Sequence, residues 1–360
     1  MTPANGKAVG WGFLGAGHIA TASLGPALRG LPGTELRAAA GRDLRRTRAL
    51  GAVSTYTDYA DLLADESVDV VYIALHNSVH ATWAMRALRA GKHVLCEKPL
   101  GLSAAEVKDI ADAARAADRL LVEAAWNRWH PRTRDIAELL ARGAVGEVRH
   151  VEAAFDGADP DRHNYRRDAA LGGGALLDVG CYAVSAVLAA YGWAVPTVTA
   201  VRRDSWPGGS ADRHTYAELR FDRGTAVLLA SLTGTGHEAL VITGTTGVLR
   251  LDRPFTAGRE PAALRLETGF EADKRHYPPV DPYALMATEV TRAVSGAPSA
   301  YLVPLDQSLA VAEAMDSIRR FPTRMCRSSP PWPPGPLRPI SESTPLPAQP
   351  VTRSHGGNSC

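Results

Sequence analysis

The sequence predicts an α/β protein in two parts, a doubly wound parallel sheet followed by an α+β unit with a large, mainly antiparallel open sheet. Three observations carry this. Apolar runs at 8–14, 35–40, 69–75, 92–100 and 120–123 alternate with helical patterns, a spacing that requires crossover connections and therefore parallel strands. After residue 123 the alternation stops, and 196–268 breaks into short strand-like runs separated by turn signals such as Asp222-Arg223-Gly224 and Gly244-Thr245-Thr246-Gly247. At 360 residues the chain exceeds what one hydrophobic core holds. The boundaries follow as 1–123, 124–321 and a proline-rich tail at 322–360.

Composition narrows the partners. An apolar fraction of 45% is ordinary for a globular protein, and a net charge of +2 makes no electrostatic case for nucleic acid or a membrane. A small-molecule ligand is the expectation. Cys96, Cys181, Cys326 and Cys360 show no C-x-x-C spacing, which suits a reducing cytoplasm. Residues 1–7 lack the apolar core of a signal peptide, and no apolar run approaches the roughly 20 residues that span a bilayer.

The first strand, 8–14, runs directly into Gly15-Ala16-Gly17-His18-Ile19-Ala20, which opens a helix to about Leu28. This is G-x-G-x-x-A between a strand and a helix, the dinucleotide-binding context. Gly15 permits the tight turn, Gly17 admits a pyrophosphate to the backbone, and Ala20 lets helix and strand pack closely. Strand 35–40 ends in Gly41-Arg42-Asp43, where an adenosine ribose should lie. An acid there would bind the 2′-hydroxyl and an arginine a 2′-phosphate, so Arg42 favours NADP while NAD stays open. Asp43 is expected to cap the next helix.

Strand 69–75 closes on His76-Asn77-Ser78-Val79-His80. Asn77 is expected along the cofactor groove and His80 at the start of the next helix; the two histidines are four apart but have no third ligand, so no metal is expected. Val94-Leu95-Cys96-Glu97-Lys98-Pro99-Leu100 then delivers a lysine to the C-terminal end of a buried strand, where ligands of open α/β sheets bind. Ser103 with Glu106 marks a capping box, and 120–123 is the last parallel strand.

Ala124 to Pro131 is an aromatic and basic crossover, with Arg128, Trp129 and His130 as candidate substrate-pocket residues. Helix 131–142 leads through Gly143 to Gly146, and strands are expected at 147–155, 196–203, 214–222, 224–234, 237–243, 247–251 and 262–268. Helices at about 282–295 and 305–320 close the fold. The tail, with Pro330-Pro331-Trp332-Pro333-Pro334-Gly335-Pro336, cannot bury a core and is expected to be disordered.

Between these strands, Gly172-Gly173-Gly174-Ala175-Leu176-Leu177-Asp178-Val179-Gly180-Cys181-Tyr182 joins a glycine-rich turn to a helix reaching about Ala190. Asp178 and Tyr182, four apart, share one helical face and can reach one substrate; equally, Tyr182 can pack in the core and Asp178 can act as a helix-start charge.

Taken together, Trp11-Gly12 with Gly15 to Ala20, Asn77-x-x-His80, Glu97-Lys98-Pro99, and Gly172 to Asp178 with Gly180 and Tyr182 resemble the Gfo/Idh/MocA oxidoreductase superfamily, over about residues 8–320. The resemblance implies an N-terminal Rossmann domain that binds NAD or NADP through Gly15, Gly17, His18, Ile19, Arg42, Asn77, His80, Glu97, Lys98 and Pro99. It also implies a second domain that forms the substrate wall and a homodimer or homotetramer interface through its sheet. The family's lysine maps onto Lys98, with a cis bond before Pro99, and its aspartate onto Asp178. Tyr182 stands where inositol-dehydrogenase-like members have histidine. Together with Asn164-Tyr165-Arg166, this is similar to the branch of glucose-fructose oxidoreductase, dihydrodiol dehydrogenases and sugar-nucleotide ketoreductases. His76, where proline is common, departs from the pattern.

The implied activity is hydride transfer between a nicotinamide and the carbinol or ketone carbon of a sugar-like, possibly nucleotide-linked substrate. Tyr182 would exchange the proton, Lys98 would lower the phenol's pKa and bond the reacting oxygen, and Asp178 would orient the substrate hydroxyl or Lys98. Arg166 is a further candidate for the substrate pocket. The alternatives are a trans-dihydrodiol dehydrogenase and a non-catalytic NAD(P)-binding regulator.

Overall fold

The computed structural model describes residues 8–322. The proline-rich tail from 323 onward, with Cys326 and Cys360, lies outside the described residues.

Six strands form the first sheet: β1 (Val9–Leu14), β2 (Thr34–Ala40), β3 (Ser54–Tyr56), β4 (Val70–Ile73), β5 (His93–Glu97) and β6 (Leu121–Ala124). Their order is β3-β2-β1-β4-β5-β6 and every pairing is parallel. The order reverses beside β1, so the crevice at the C-terminal ends of β1 and β4 is the topological switch point. Helices α1 (Gly25–Arg29), α2 (Leu44–Arg48), α3 (Tyr59–Ala64), α4 (His80–Arg89) and α5 (Ala104–Ala117) lie between the strands. Asp43 caps α2 by accepting from the Arg45 and Arg46 amides, and Ser103 caps α5 by accepting from the Glu106 amide. β3 and α2 carry too few apolar residues to stand out in the sequence, and α3, apolar except for Asp61, is only six residues long.

The second sheet has eight strands: β7 (Val148–Asp156), β8 (Thr197–Ser205), β9 (Asp212–Phe221), β10 (Gly224–Ser231), β11 (Glu238–Gly244), β12 (Gly247–Leu251), β13 (Ala262–Thr268) and β14 (Glu271–Tyr277). Their order is β14-β13-β12-β11-β7-β10-β9-β8, antiparallel except where β10 runs parallel to β7. β14 was not expected. Its sequence, Glu271-Ala272-Asp273-Lys274-Arg275-His276-Tyr277, is polar on both faces because it is an exposed edge, where charge discourages pairing with another chain.

One face of this sheet is core. Val151, Ala153 and Phe155 of β7 and Leu240 and Ile242 of β11 are buried with Val184, Val187 and Leu188 of a helix α7 that spans Cys181–Ala190, and α6 (Pro131–Ala141) packs beside it. The stretch Ala169–Ala190 is long and apolar enough by composition to cross a membrane, contrary to the expectation that no run reaches that size; 83% of its apolar window is buried inside the protein, as in a core helix. The last helices, α8 (Pro282–Val294) and α9 (Leu305–Arg320), return to the first sheet. Met286 and Val290 share a core with Val9, Trp11 and Tyr72, and Asp316 accepts from the Ala104 amide at the start of α5.

Candidate active site

At the end of β1, Gly15 has φ +96°, and a Cβ there would lie 2.5 Å from the Ala74 carbonyl oxygen. Only glycine fits this turn. A Cβ on Gly17 would meet nothing closer than 3.6 Å, so that side of the backbone is open to a ligand. From here a groove of about 850 Å3 runs past Gly41, Arg42, Arg46 and His76, and a cleft of about 530 Å3 runs the other way past Ile19, Asn77, Glu97 and Lys98. Gly17, Ala74, Leu75 and Tyr165 line both, so the two spaces meet at the turn. The open backbone and the arginines at one end fit a dinucleotide whose pyrophosphate rests on the turn.

The cleft is where the two sheets supply facing groups. Lys98 follows β5, its bond to Pro99 is cis, and its ammonium donates to the Asp178 carbonyl oxygen at 2.5 Å and to Asp178 Oδ1 at 3.1 Å. Asp178 Oδ2 accepts from Arg166 Nε at 2.7 Å. Asp178 sits in a π-helical turn, Leu176–Gly180, rather than in the regular helix expected; the widened turn runs straight into α7, which carries Tyr182. Gly174 makes room for this: at φ +116° its Cβ would lie 2.1 Å from Asp212 Oδ1, an acid whose other oxygen accepts from the Leu176 amide. The Lys98 ammonium lies 5.1 Å from the centre of the Tyr182 ring, over its face.

Burial and partners set the charges. Burial opposes ionisation of Asp178, but Lys98 and Arg166 outweigh it and hold the carboxyl below its ordinary range. Burial likewise opposes the Lys98 cation, and Asp178 outweighs it, so the ammonium persists well above neutral pH. Burial pushes the Tyr182 phenol well above its ordinary value, so it carries its proton. This corrects the expectation that Lys98 favours the phenolate: its ammonium is spent on Asp178 and the ring face. Burial also pushes Glu97 up to about 7, although the Tyr72 hydroxyl donates to it at 2.6 Å.

Two family models match this chain, the oxidoreductase family NAD-binding Rossmann fold over residues 9–124 and the GFO/IDH/MocA C-terminal domain over residues 133–250. The chain belongs to the Gfo/Idh/MocA oxidoreductase family. It is an enzyme, and its cofactor is NAD(P). An uncharacterized oxidoreductase of Rhizobium meliloti is 34% identical over 88% of this chain and 97% of its own length. The D-xylose 1-dehydrogenase (NADP(+)) 2 of Haloferax volcanii is 35% identical over 86% of this chain and 95% of its own. Among solved structures, a 3-ketoreductase from Actinomadura kijaniata in complex with NADP and TDP-benzene superposes with a TM-score of 0.78 at 29% identity, covering 87% of this chain and 97% of that one.

Not every residue expected at the site of this Gfo/Idh/MocA protein lines the cleft. Gly17, His18, Ile19, Asn77, Glu97, Lys98, Arg166, Asp178 and Tyr182 do, and Gly15 and Arg42 line the adjoining groove. His80 is fully buried, with Nδ1 2.9 Å from the Pro99 carbonyl oxygen and Nε2 3.1 Å from that of Leu75; it holds the Lys98-Pro99 loop from behind. Pro99 does not line the cleft either.

Arg128, Trp129 and His130 are placed elsewhere. Arg128 bonds Gln307 and stacks over Trp193, the Trp129 indole donates to the Tyr301 carbonyl, and His130 accepts from the Arg132 amide as the cap of α6. The crossover turns these residues inward against α8, α9 and Tyr277 of β14, so none of the three lines the cleft. Burial, reinforced by Arg132, pulls His130 down to about 4.

The sequence reading missed the aromatic wall. Trp126 stacks on Tyr283 at 5.4 Å, Phe155 packs at 5.6 Å from Tyr182, and all four line the cleft with Tyr165. Phe155 was legible only as an inward strand residue, and Tyr283 comes from α8, distant in sequence.

Proposed function

We propose that this enzyme is an NADP-preferring reductase and dehydrogenase of a keto-sugar or its alcohol, with Tyr182 as the proton donor and acceptor. The reading rests on one observation: Lys98, Asp178 and Tyr182 converge on a cleft continuous with the glycine turn that fits the dinucleotide. The bound nicotinamide supplies or accepts the hydride. Tyr182 gives its phenolic proton to the substrate oxygen in reduction and takes one back in oxidation. Lys98, fixed by Asp178, donates a hydrogen bond to that same oxygen as its negative charge develops, the arrangement that stabilises an alkoxide. Asp178 acts by holding Lys98 and Arg166, and Arg166 presents its remaining N–H donors to substrate hydroxyls.

Three features favour a sugar. The aromatic wall suits the apolar face of a pyranose or of a cyclic diol. The polar side carries donors on Lys98 and Arg166. The Haloferax relative is named as a xylose dehydrogenase and the Actinomadura neighbour as a ketoreductase. NADP is favoured because Arg42 and Arg46 line the far groove, while the nearby Asp43 carboxylate is committed to capping α2. We assign residues 1–123 to the cofactor and 124–321 to the substrate and to self-association through the outer sheet face bearing Tyr216, Leu229 and Val241; buried free thiols at Cys96 and Cys181 suit a reducing compartment.

The test is a screen of keto-sugars, their alcohols and cyclic vicinal diols with NADPH, NADP, NADH and NAD. Turnover of a keto-sugar with NADPH, lost in Tyr182→Phe at unchanged NADPH affinity, is the expected result. Binding of the cofactor with no turnover of any carbonyl or carbinol would favour a regulator instead.

A further inference from the structure

Lys98 and Tyr182 form a wall with two sides. Their front faces the substrate cleft; behind them lies a second, smaller cavity of about 20 Å3, which they line together with Glu123, Asn127, Arg128 and Ser308. A buried water needs roughly 10–15 Å3 of such space and two to four polar partners. The cavity is large enough for one water and too small for any cofactor or substrate.

Its polar groups are incompletely paired. Ser308 is 3% exposed, and neither its Oγ nor the buried Oδ1 of Asn127 has a hydrogen-bond partner among the described residues. Leaving such groups unpaired costs about 1–3 kcal/mol each. Glu123 is also buried; its Oε1 accepts from the Leu100 amide at 3.0 Å. The Ser308 hydroxyl lies close enough to ease the charge on Glu123, but not in hydrogen-bonding geometry. An acceptor on Asn127, a hydroxyl on Ser308 and a carboxyl on Glu123 around one water-sized space form a site for a molecule that donates twice and accepts once.

Resting on the catalytic reading above, we propose that this cavity holds one ordered water, bound by Asn127, Ser308 and Glu123, which acts as a positioning element for Lys98 from the side opposite the substrate. The water fills the space into which the lysine stem could otherwise relax, and so keeps the ammonium on Asp178 and directed at the cleft. Asn127, Ser308 and Glu123 are positioning residues, one step behind the reacting groups.

A high-resolution crystal structure of the full chain with NADP, paired with the Asn127→Leu/Ser308→Ala double variant and the milder Ser308→Ala and Ser308→Thr singles, tests this. The expected wild-type result is one water within hydrogen-bond distance of Asn127 Oδ1 and Ser308 Oγ. In the double variant the water is lost, Lys98 Nζ moves off Asp178 Oδ1, and kcat falls about tenfold at unchanged NADPH Kd, the effect of small misplacement of a reacting group. Ser308→Thr, which keeps the hydroxyl, retains wild-type kcat. A dry or side-chain-filled cavity in the wild type overturns the proposal, as does a double variant without the water whose Lys98 stays in place. An enzyme that shows the water and the lysine shift but reduces no carbonyl substrate defeats the catalytic reading, not the water site.

Discussion

A lysine at a strand end and a phenol on a helix are common; at this site their protonation states are fixed by what surrounds them. Asp178 holds Lys98 charged and burial holds Tyr182 protonated, the state the proposed reduction starts from. Tyr182→Phe should reduce turnover by about 10²–10⁴, the usual worth of a positioned acid or base, with NADPH binding unchanged by fluorescence titration. Glu97 gives the site a group that titrates near neutrality. Its folded pKa of about 7 lies above its ordinary value, so its neutral form is favoured in the folded protein and the stability it contributes is lost as pH rises from about 4.5 through 7. Glu97→Gln should therefore flatten the fall in urea midpoint over that interval; an unchanged slope would show that Glu97 ionises normally. At the other end of the groove, Arg42→Ala with Arg46→Ala should weaken NADPH far more than NADH, measured as the ratio of the two Kd values.

At the level of elements, the residues that hold the site are those which break simple patterns. Arg132, at the start of α6, is 1% exposed, and its guanidinium donates to the carbonyls of Asp252, Arg253, Pro254 and Ala263, tying the helix to the loop that carries Phe255. Phe255 in turn stacks on Phe155 behind Tyr182. Arg132→Ala removes a donor from four carbonyls, of which that of Ala263 keeps the Asp252 amide and that of Pro254 is the buried one, and should cost about 1–3 kcal/mol in chemical denaturation, more than a surface arginine. The sequence reading had α6 itself but treated its neighbours Arg128 to His130 as ligand-binding, because a buried arginine and an exposed one look alike in a string of letters. Asp178 and Tyr182 are legible on one face, but the π-helical turn between them is not: the carboxylate that meets its first amide, Leu176, is Asp212 of β9, distant in the sequence.

Across the whole molecule, Asp178 is one link between the halves: it takes Lys98 from the first and Arg166 from its own. Its carboxyl is held below the ordinary range, so it contributes stability that is present above about pH 4 and is lost as pH falls through its lowered folded value. Asp178→Asn should abolish that acid-side loss and, by leaving the half-buried Lys98 and the more exposed Arg166 without their carboxylate, destabilise the protein by about 2–3 kcal/mol at neutral pH in a thermal or urea melt. The sequence by itself determined the parallel sheet, the glycine turn, the lysine at the end of its strand and the glycine-led Asp178 and Tyr182, because backbone conformation and hydrophobic period act over a few residues and are written locally. Only the tertiary structure decided which aromatics wall the cleft, which basic residues are buried away from it, and that Lys98 spends its charge on Asp178 rather than on the phenol. Those outcomes depend on which distant segments pack together, and burial and electrostatic pairing are properties of that packing, not of any short stretch of chain.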